Sequence, residues 1–111
     1  MQILVTGAGG QLGSEIRRLS AATPHTFHFT DVAAQADPLT SPLDITDREA
    51  VANMLENFQP DAVVNTAAFA GSAAAEDRAA RFFAVNAEGA RNLAQAAAAV
   101  GQSLLMEEYT A

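Results

Sequence analysis

Short runs of apolar residues alternate along the chain with longer segments in which apolar residues recur every three or four positions. Strands are predicted at residues 2–6, 26–30, 43–45, 62–65 and 104–106. The first and fourth of these have uninterrupted apolar centres, which is typical of strands buried on both faces of a parallel sheet. Residues 32–42 include two prolines and lack apolar periodicity, so that segment is predicted to be a loop.

The first helical segment follows the first strand and has one apolar face. Leu12, Ile16 and Leu19 are spaced so that they fall on the same side of a helix. This phase directs Arg17 and Arg18 away from the sheet, and both are therefore interpreted as surface charges.

Two more helical segments are predicted. Thr46 and Glu49 have the spacing of a capping box at the start of the second helix, whose buried residues are expected to be Val51, Met54, Leu55 and Phe58. The third is an alanine-rich stretch at residues 73–100, which is either two helices or one bent helix because Gly89 interrupts it. Asn86 lies on its apolar side, and because a buried asparagine needs hydrogen-bond partners, a structural role is favoured over catalysis.

The order of these elements predicts the fold class. Strands that alternate with helices are joined by right-handed crossovers into a parallel sheet. We therefore expect an α/β fold, a Rossmann-like doubly wound parallel sheet of about five strands in the order 3-2-1-4-5. No internal repeat or linker interrupts the pattern, so residues 1–111 are expected to form a single domain.

Composition and charge narrow the class of protein. The 111 residues include no cysteine, which excludes disulfides and thiolate metal sites and fits a reducing cytoplasmic setting. The six basic residues are all arginine and the formal net charge is −7, so neither nucleic acid nor anionic membrane is an expected partner. No apolar stretch approaches the ~20 residues of a membrane span, and the first residues lack the plan of a signal peptide. A cytoplasmic protein is expected.

The strongest motif is T-G-A-G-G-Q-L-G at residues 6–13, between the first strand and the first helix. Its Gly7, Gly10 and Gly13 have the spacing G-x-x-G-x-x-G and are candidate cofactor-binding residues. A pyrophosphate needs exposed N–H groups at a helix N-terminus, which a β-carbon would obstruct. Gly7 is expected to allow the tight turn, Gly10 the approach of the ligand, and Gly13 the packing of helix on strand. A turn that serves packing alone is the less favoured alternative.

Asp31 follows the second strand and is a candidate for the ribose of the cofactor. A carboxylate there accepts hydrogen bonds from the ribose hydroxyls and repels a 2′-phosphate, so NAD is slightly favoured over NADP. A solvated loop aspartate is the alternative interpretation. Arg17 or Arg18 would favour NADP if either reached the ribose.

Two further segments follow predicted strands at the same sheet edge, where ligands of doubly wound sheets bind. Asp44 is expected to accept from the adenine amino group while Ile45 packs on its ring. Ala67 and Ala68 are small enough for the cofactor to lie across them. Two structural alternatives stay open, since Asp44 could cap the second helix and Asn65 could satisfy only the loop backbone.

No metal site is predicted. His25 and His28 lie before and within the second strand, and on a strand residues at this spacing point to opposite faces, which is unfavourable for a shared metal ion. Both are interpreted as structural or surface residues.

Together these residues resemble the extended short-chain dehydrogenase/reductase superfamily, and within it most closely the dTDP-4-dehydrorhamnose reductase family. The matching pieces cover nearly the whole chain and read MQILVTGAGGQLGSEIRRL, FTDV, LDITDREAV, QPDAVVNTAA and VNAEGARNLAQAA. Such enzymes reduce the 4-keto group of a nucleotide-linked sugar with a nicotinamide cofactor. The resemblance implies cofactor contacts at Gly7, Gly10, Gln11, Leu12, Asp31, Asp44, Ile45, Ala67 and Ala68.

The chain also departs from that family. The family's catalytic residues are a Ser or Thr after the fifth strand and a Tyr-x-x-x-Lys pair, whereas this sequence has one tyrosine, Tyr109, and no lysine. The family has a polar segment after the fourth strand. In this chain the corresponding residues 69–76 read F-A-G-S-A-A-A-E, and several of the family's polar side chains are replaced by small or apolar ones. No catalytic residue is therefore predicted, and the chain is expected to be truncated before the catalytic and substrate-binding parts.

Three functions remain open from the sequence. The favoured one is a domain that binds NAD or NADP without turnover. The second is a structural, regulatory or engineered scaffold module that keeps only the fold. The third, a reductase that borrows missing residues from another chain, is the least favoured. Self-association is expected through the edge of the fifth strand or through the long helix.

Overall fold

A computed structural model describes residues 1–32, 40–67, 84–99 and 103–106. Its strands are β1 (Gln2–Thr6), β2 (Thr26–Asp31), β3 (Thr40–Pro42), β4 (Ala62–Asn65) and β5 (Ser103–Met106). They form one five-stranded parallel sheet in the order β3-β2-β1-β4-β5. The Rossmann-like order predicted from the alternation of elements is confirmed.

The central strand β1 distributes the core over both faces of the sheet. Leu4 is in register with Val63 of β4, and Val5 is in register with Phe29 of β2. Because side chains alternate along a strand, the two rows face opposite sides. The larger cluster lies on the Leu4 side and consists of Leu4, Leu43, Ile45, Val51, Leu55, Val63, Val85, Leu93 and Ala97. The smaller consists of Val5, Ala8 and Phe29, with Ile3, Ile16, Phe27 and Val64 packed against it.

Within the described ranges, three α-helices connect or flank the strands, and their bounds are α1 (Gln11–Ser20), α2 (Arg48–Phe58) and α3 (Ala90–Ala99). A π-helical turn, Ala84–Gly89, leads directly into α3. The predicted interruption at Gly89 coincides with this change of helix type, whereas residues 73–83 and 100 lie outside the described residues. None of the helices in the described ranges is long and apolar enough to cross a membrane.

Gly89 has a packing role at this junction. A β-carbon built there would lie 2.6 Å from the Cδ1 and Cγ1 atoms of Ile45, which is closer than real carbon atoms approach. The absence of a side chain at Gly89 therefore allows the helix to lie against the core at Ile45.

The predicted position of β3 is wrong. The strand is Thr40–Pro42, paired with Phe29–Asp31, and not residues 43–45. The two prolines suggested a loop, but β3 is the outermost strand on its side of the described sheet. A proline at the end of an edge strand removes no N–H that the neighbouring strand needs. Leu43, just beyond β3, still donates its N–H to the carbonyl of Asp31 at 2.8 Å.

The capping box predicted at Thr46 is also wrong. Asp47 is the N-cap of α2, and its carboxylate accepts from the N–H of Ala50 at 3.1 Å. The Thr46 hydroxyl donates instead to the carboxylate of Asp44, at 2.7 Å. The nearby aspartate therefore takes the hydroxyl that the sequence pattern assigned to the helix. The expected burial of Val51 and Leu55 is confirmed, whereas Met54 and Phe58 are only partly buried against the core.

The inward face of α1 is rotated from the predicted one. Gly13 is buried, whereas Leu19, which was expected to face the sheet, is 54% exposed. Arg17, which was expected to face solvent, is half-buried. The physical reason is that Gly13 packs against the backbone of Gly7 and Ala8, where a side chain would not fit, so the residues in phase with Gly13 turn inward.

Candidate functional site

The glycine turn between β1 and α1 is built on two glycines that the chain's own packing requires. Gly7 has φ +75°, a conformation that L side chains rarely adopt, and a β-carbon there would lie 2.5 Å from the nitrogen of Ala67. A β-carbon on Gly13 would lie 2.6 Å from the Cα of Ala8. Turn geometry and helix packing account for both of these glycines, as expected.

Gly10 differs from them. Its backbone is extended, with φ −78° and ψ 179°, so any residue could adopt it. Among the described residues, a β-carbon there would meet only the carbonyl oxygen of Gly7, at 3.3 Å, a contact that a shift of a few tenths of an ångström relieves. The packing of the described residues therefore does not require a glycine at this position.

The start of α1 lacks the cap that α2 has. Gly10 is the N-cap of α1, no side chain accepts a hydrogen bond there, and the first turn contains no acidic residue. At α2, Asp47 caps the helix and Glu49 adds an acid in the first turn. The N–H groups of a first helical turn carry partial positive charge and need an acceptor. The first turn of α1, which begins at Gln11, therefore presents donors suited to an anion.

Hydrogen bonds fix the turn between Gly7 and α1. The N–H of Gly10 donates to the carbonyl of Gly7 at 3.0 Å, and the N–H of Ala8 donates to the carbonyl of Thr30 at 2.9 Å. The N–H of Gly9 donates to the carboxylate of Asp31 at 2.5 Å. These bonds engage the N–H groups of Ala8, Gly9 and Gly10, which precede the first turn of α1.

Asp31 lies at the end of β2, next to the glycine turn, as predicted. One carboxylate oxygen accepts from Gly9 and the other from the N–H of Val32, at 2.7 Å. The residue is half-buried and is therefore not a freely solvated loop aspartate.

The ends of β1 and β4 are joined by polar side chains. Asn65 is buried, and its side-chain oxygen accepts from the hydroxyl of Thr6 at 2.5 Å and from the N–H of Ala67 at 3.1 Å. The hydroxyl of Thr66 contacts the carbonyls of Thr6 and Gly7 at 2.6 and 3.1 Å. The backbone-satisfying role considered for Asn65 is seen here. Ala68, the other small residue predicted in this segment, lies outside the described residues.

Asp44 and Ile45 follow β3 and have well-defined surroundings. One oxygen of the Asp44 carboxylate accepts from the N–H of Thr46 at 3.0 Å as well as from its hydroxyl. Ile45 is 4% exposed, and its carbonyl accepts from the side-chain amide of Asn92 at 2.9 Å. Asp44 thus organises the turn before α2, and Ile45 belongs mainly to the core.

Arg17 is not a plain surface charge, in contrast to its interpretation from the sequence. Its guanidinium lies 4.3 Å from the centre of the Phe29 ring and donates to the hydroxyl of Thr40. Arg18 does face solvent, where it pairs with Glu15 at 2.8 Å.

The two histidines have structural surroundings. His28 is hydrogen-bonded through Nε2 to the hydroxyl of Ser41 at 3.1 Å and packs edge-on against Phe58. Burial lowers its pKa from 6.5, because the charged imidazolium loses hydration. His25 lies before β2 and contacts the N-terminal amino group. Within the described ranges, no group of three or more His, Cys, Asp or Glu side chains is placed to bind a metal ion.

Sequence reasoning missed the roles of Thr66 and Asn92. A polar residue directly after β4 was the available signal for Thr66, because the ends of adjacent parallel strands lie side by side. Asn92 could have been found from its position on the helix, one residue before the buried Leu93. Asn86, which was predicted to be structural, is half-buried in the π-helical turn.

Comparison with known proteins agrees with this arrangement. The chain is 41% identical over 104 residues to a dTDP-4-dehydrorhamnose reductase of Mycolicibacterium smegmatis, a match that covers 94% of this chain and 29% of that protein. A dTDP-4-dehydrorhamnose reductase of Bacillus anthracis, in complex with NADP, has a similar fold, with TM-score 0.74 and 26% identity over 93% of this chain and 34% of that one. A UDP-glucose 4-epimerase of Thermus thermophilus, in complex with NAD, gives TM-score 0.79 and 28% identity over 91% and 35% of the two chains.

The sheet order and the glycine turn at the start of α1 define the class of Rossmann-like α/β domains. Within that class the chain belongs to the family described as RmlD substrate binding domain, whose model matches residues 1–107. It spans about 30% of the length of the curated dTDP-4-dehydrorhamnose reductases that it matches.

Proposed function

We propose that this chain binds NAD or NADP, with the pyrophosphate at the N-terminus of α1. The observation that carries the proposal is the uncapped first turn of α1, which contrasts with the Asp47 cap of α2. A helix start without an acceptor leaves N–H groups unsatisfied, and a phosphate oxygen supplies that acceptor while interacting favourably with the helix dipole.

The surroundings of Gly10 support the same ligand. The packing of the described residues does not require a glycine there, since an added β-carbon would meet only the carbonyl oxygen of Gly7 among them, at 3.3 Å. A pyrophosphate that lies against the backbone explains why this position lacks a side chain. The first-turn residues Gln11 and Leu12 are then the donors, and Gly13 allows the helix to approach.

The remaining predicted contacts complete the proposed site. Asp31 accepts from the adenosine ribose, and its charge slightly favours NAD. Asp44 and Ile45 flank the adenine, with only the small exposed part of Ile45 available to it. Ala67 and Ala68 allow the cofactor to lie along the carboxyl edge of the sheet.

The dTDP-4-dehydrorhamnose reductases among the relatives suggest the activity of the complete protein type, the reduction of a sugar-nucleotide ketone. For the 111 residues alone we propose cofactor binding without turnover. Reduction of a ketone needs an acid that protonates the developing alkoxide. These residues include a single tyrosine and no lysine, and so do not supply the tyrosine–lysine pair that the family resemblance implies.

Calorimetric titration of the purified chain with NADH and with NADPH tests the proposal. Saturable binding of at least one dinucleotide is expected, together with its loss in Gly10→Val, whose side chain fills the space before α1. Absence of binding at millimolar cofactor contradicts the proposal. That result favours the alternative function, a structural, regulatory or engineered scaffold module that keeps the fold without the ligand.

We also propose that the chain associates with itself, through the outer edge of β5 or through α3. β5 pairs with β4 on one side and is the last strand of the described sheet, and an edge strand offers unpaired N–H and carbonyl groups. Light scattering at increasing concentration tests this. A mass above that of the monomer is expected, and a monomer at every concentration contradicts it.

A further inference from the structure

The hydroxyl of Thr66 contacts two consecutive carbonyl groups of the glycine turn. Its oxygen lies 2.6 Å from the carbonyl oxygen of Thr6 and 3.1 Å from that of Gly7. A hydroxyl has one proton, so the two carbonyls share a single donor. The N–H of Thr66 also donates to the carbonyl of Thr6, at 3.1 Å.

This contact depends on the conformation of Gly7. Along an extended strand, successive carbonyl groups point to opposite edges, and one side chain does not reach both. The positive φ of Gly7, +75°, ends the extended conformation and brings its carbonyl to the same side as that of Thr6. The Thr66 hydroxyl therefore interacts with both carbonyls because Gly7 departs from the extended conformation.

The carbonyl of Gly7 also makes two further contacts within the glycine turn. It accepts the N–H of Gly10 at 3.0 Å, and the backbone of Gly13 packs closely against it. A rotation of the Gly7 peptide would break the bond to Gly10 and shift the start of α1. The orientation of this one peptide therefore sets the position of the proposed pyrophosphate donors.

We propose that Thr66 is a positioning residue for the dinucleotide, an inference that rests on the function proposed above. Thr66 is not among the residues predicted to contact the dinucleotide. It acts through the Gly7 peptide, which it holds in the orientation that positions the first turn of α1 for the pyrophosphate. Preorganisation of this kind raises affinity because the turn does not have to be ordered when the ligand binds.

Three variants test the inference. Thr66→Val removes the hydroxyl and keeps the shape, whereas Thr66→Ser keeps the hydroxyl. Thr30→Val is the matched control, because the Thr30 hydroxyl also donates to a β1 carbonyl, that of Val5 at 2.9 Å, without contacting Gly7. Dinucleotide affinity is measured by calorimetry well below each melting temperature, and hydrogen exchange of the Gly10 amide is followed without ligand.

Loss of one hydrogen bond predicts that Thr66→Val weakens dinucleotide binding about five- to tenfold and speeds exchange at Gly10. Thr66→Ser is expected to restore both, and Thr30→Val to lower thermal stability with affinity unchanged. Unaltered Gly10 exchange in Thr66→Val overturns the inference, as does an equal loss of affinity in Thr66→Ser or Thr30→Val. If the parent chain binds no dinucleotide, the proposed function fails, and exchange at Gly10 alone upholds or overturns the role of Thr66.

Discussion

The carboxylate of Asp31 accepts a hydrogen bond from the main-chain N–H of Gly9, at 2.5 Å. This contact joins the end of β2 to the glycine turn. It places the Asp31 carboxylate beside the turn. The carboxylate also accepts a second bond, from the N–H of Val32 at 2.7 Å.

The first prediction concerns cofactor choice. Asp31→Asn keeps an oxygen that accepts one of the two N–H bonds and removes the charge. Repulsion of a 2′-phosphate falls by about 1 kcal/mol, so affinity for NADPH relative to NADH is expected to rise roughly fivefold. Calorimetric titration of both dinucleotides measures the ratio. An unchanged ratio in Asp31→Asn would mean that this carboxylate does not face the ribose.

The second prediction separates the three glycines. Gly7→Ala forces a side chain into a left-handed conformation and against Ala67, and Gly13→Ala forces one against Ala8. Each is expected to lower the free energy of unfolding by more than about 2 kcal/mol. Gly10→Ala has an ordinary backbone and is expected to keep its stability while dinucleotide affinity falls.

Urea unfolding followed by circular dichroism compares the three glycine variants with the parent chain. Equal destabilisation by all three substitutions would indicate that the glycine turn serves packing alone. A stable Gly10→Ala protein with full affinity would contradict the position assigned to the pyrophosphate.

The third prediction tests the structural role of Arg17. Its guanidinium lies over the Phe29 ring, and the loss of such a contact in Arg17→Met is expected to cost about 1 kcal/mol of stability. The preference between NADH and NADPH is expected to stay the same, because the Arg17 side chain contacts Phe29 and Thr40 of the sheet. Arg18→Gln is the matched control and should leave stability within error, since its ion pair with Glu15 is exposed. A shift in NADPH affinity in Arg17→Met would instead place this residue at the ribose.

The fourth prediction concerns pH. Burial lowers the pKa of His28 below 6.5, so the unfolded chain binds a proton more readily than the folded one. Stability from the neutral imidazole is fully present above pH 6.5 and is lost as the pH falls through the lower pKa of the folded state. Urea unfolding between about pH 7.5 and 5.5 should show a smaller decline in His28→Gln than in the parent chain. His25→Gln is the control, because it leaves His28 in place. Parallel plots of stability against pH for the parent chain and His28→Gln would contradict the assignment of this pH dependence to His28.

The class of fold could be predicted from the sequence because hydrophobic periodicity reports which faces are buried. The position of β3 could not, since pairing with β2 decides where an edge strand forms and edge strands tolerate Pro42. The cap of α2 was misassigned because two local contacts compete with the capping box: Asp44 takes the Thr46 hydroxyl two residues on, and Asp47 caps the helix. The inward face of α1 was misjudged because Gly13, with no side chain, adds nothing to a hydrophobic pattern.

The candidate site was predictable to a similar extent. The glycine spacing and Asp31 are local signals at the ends of two strands, and the structure places them together. The contact of Thr66 with Gly7 joins residues at the ends of β1 and β4 and depends on strand order and register, which residue types alone do not encode. Separate roles for Gly7, Gly10 and Gly13 were predictable from the spacing of the motif, and the structure adds the close backbone contacts that require glycine at Gly7 and Gly13.

The most direct test of the account is the position of the dinucleotide on the chain. Backbone amide signals of isotope-labelled protein, followed by nuclear magnetic resonance during titration with NADH and NADPH, report the site residue by residue. The account predicts that the largest shifts occur at the first turn of α1, at Gln11, Leu12 and Gly13, with smaller ones at Gly9 and Val32. Saturable binding that leaves the amides at the start of α1 unshifted would contradict the central claim.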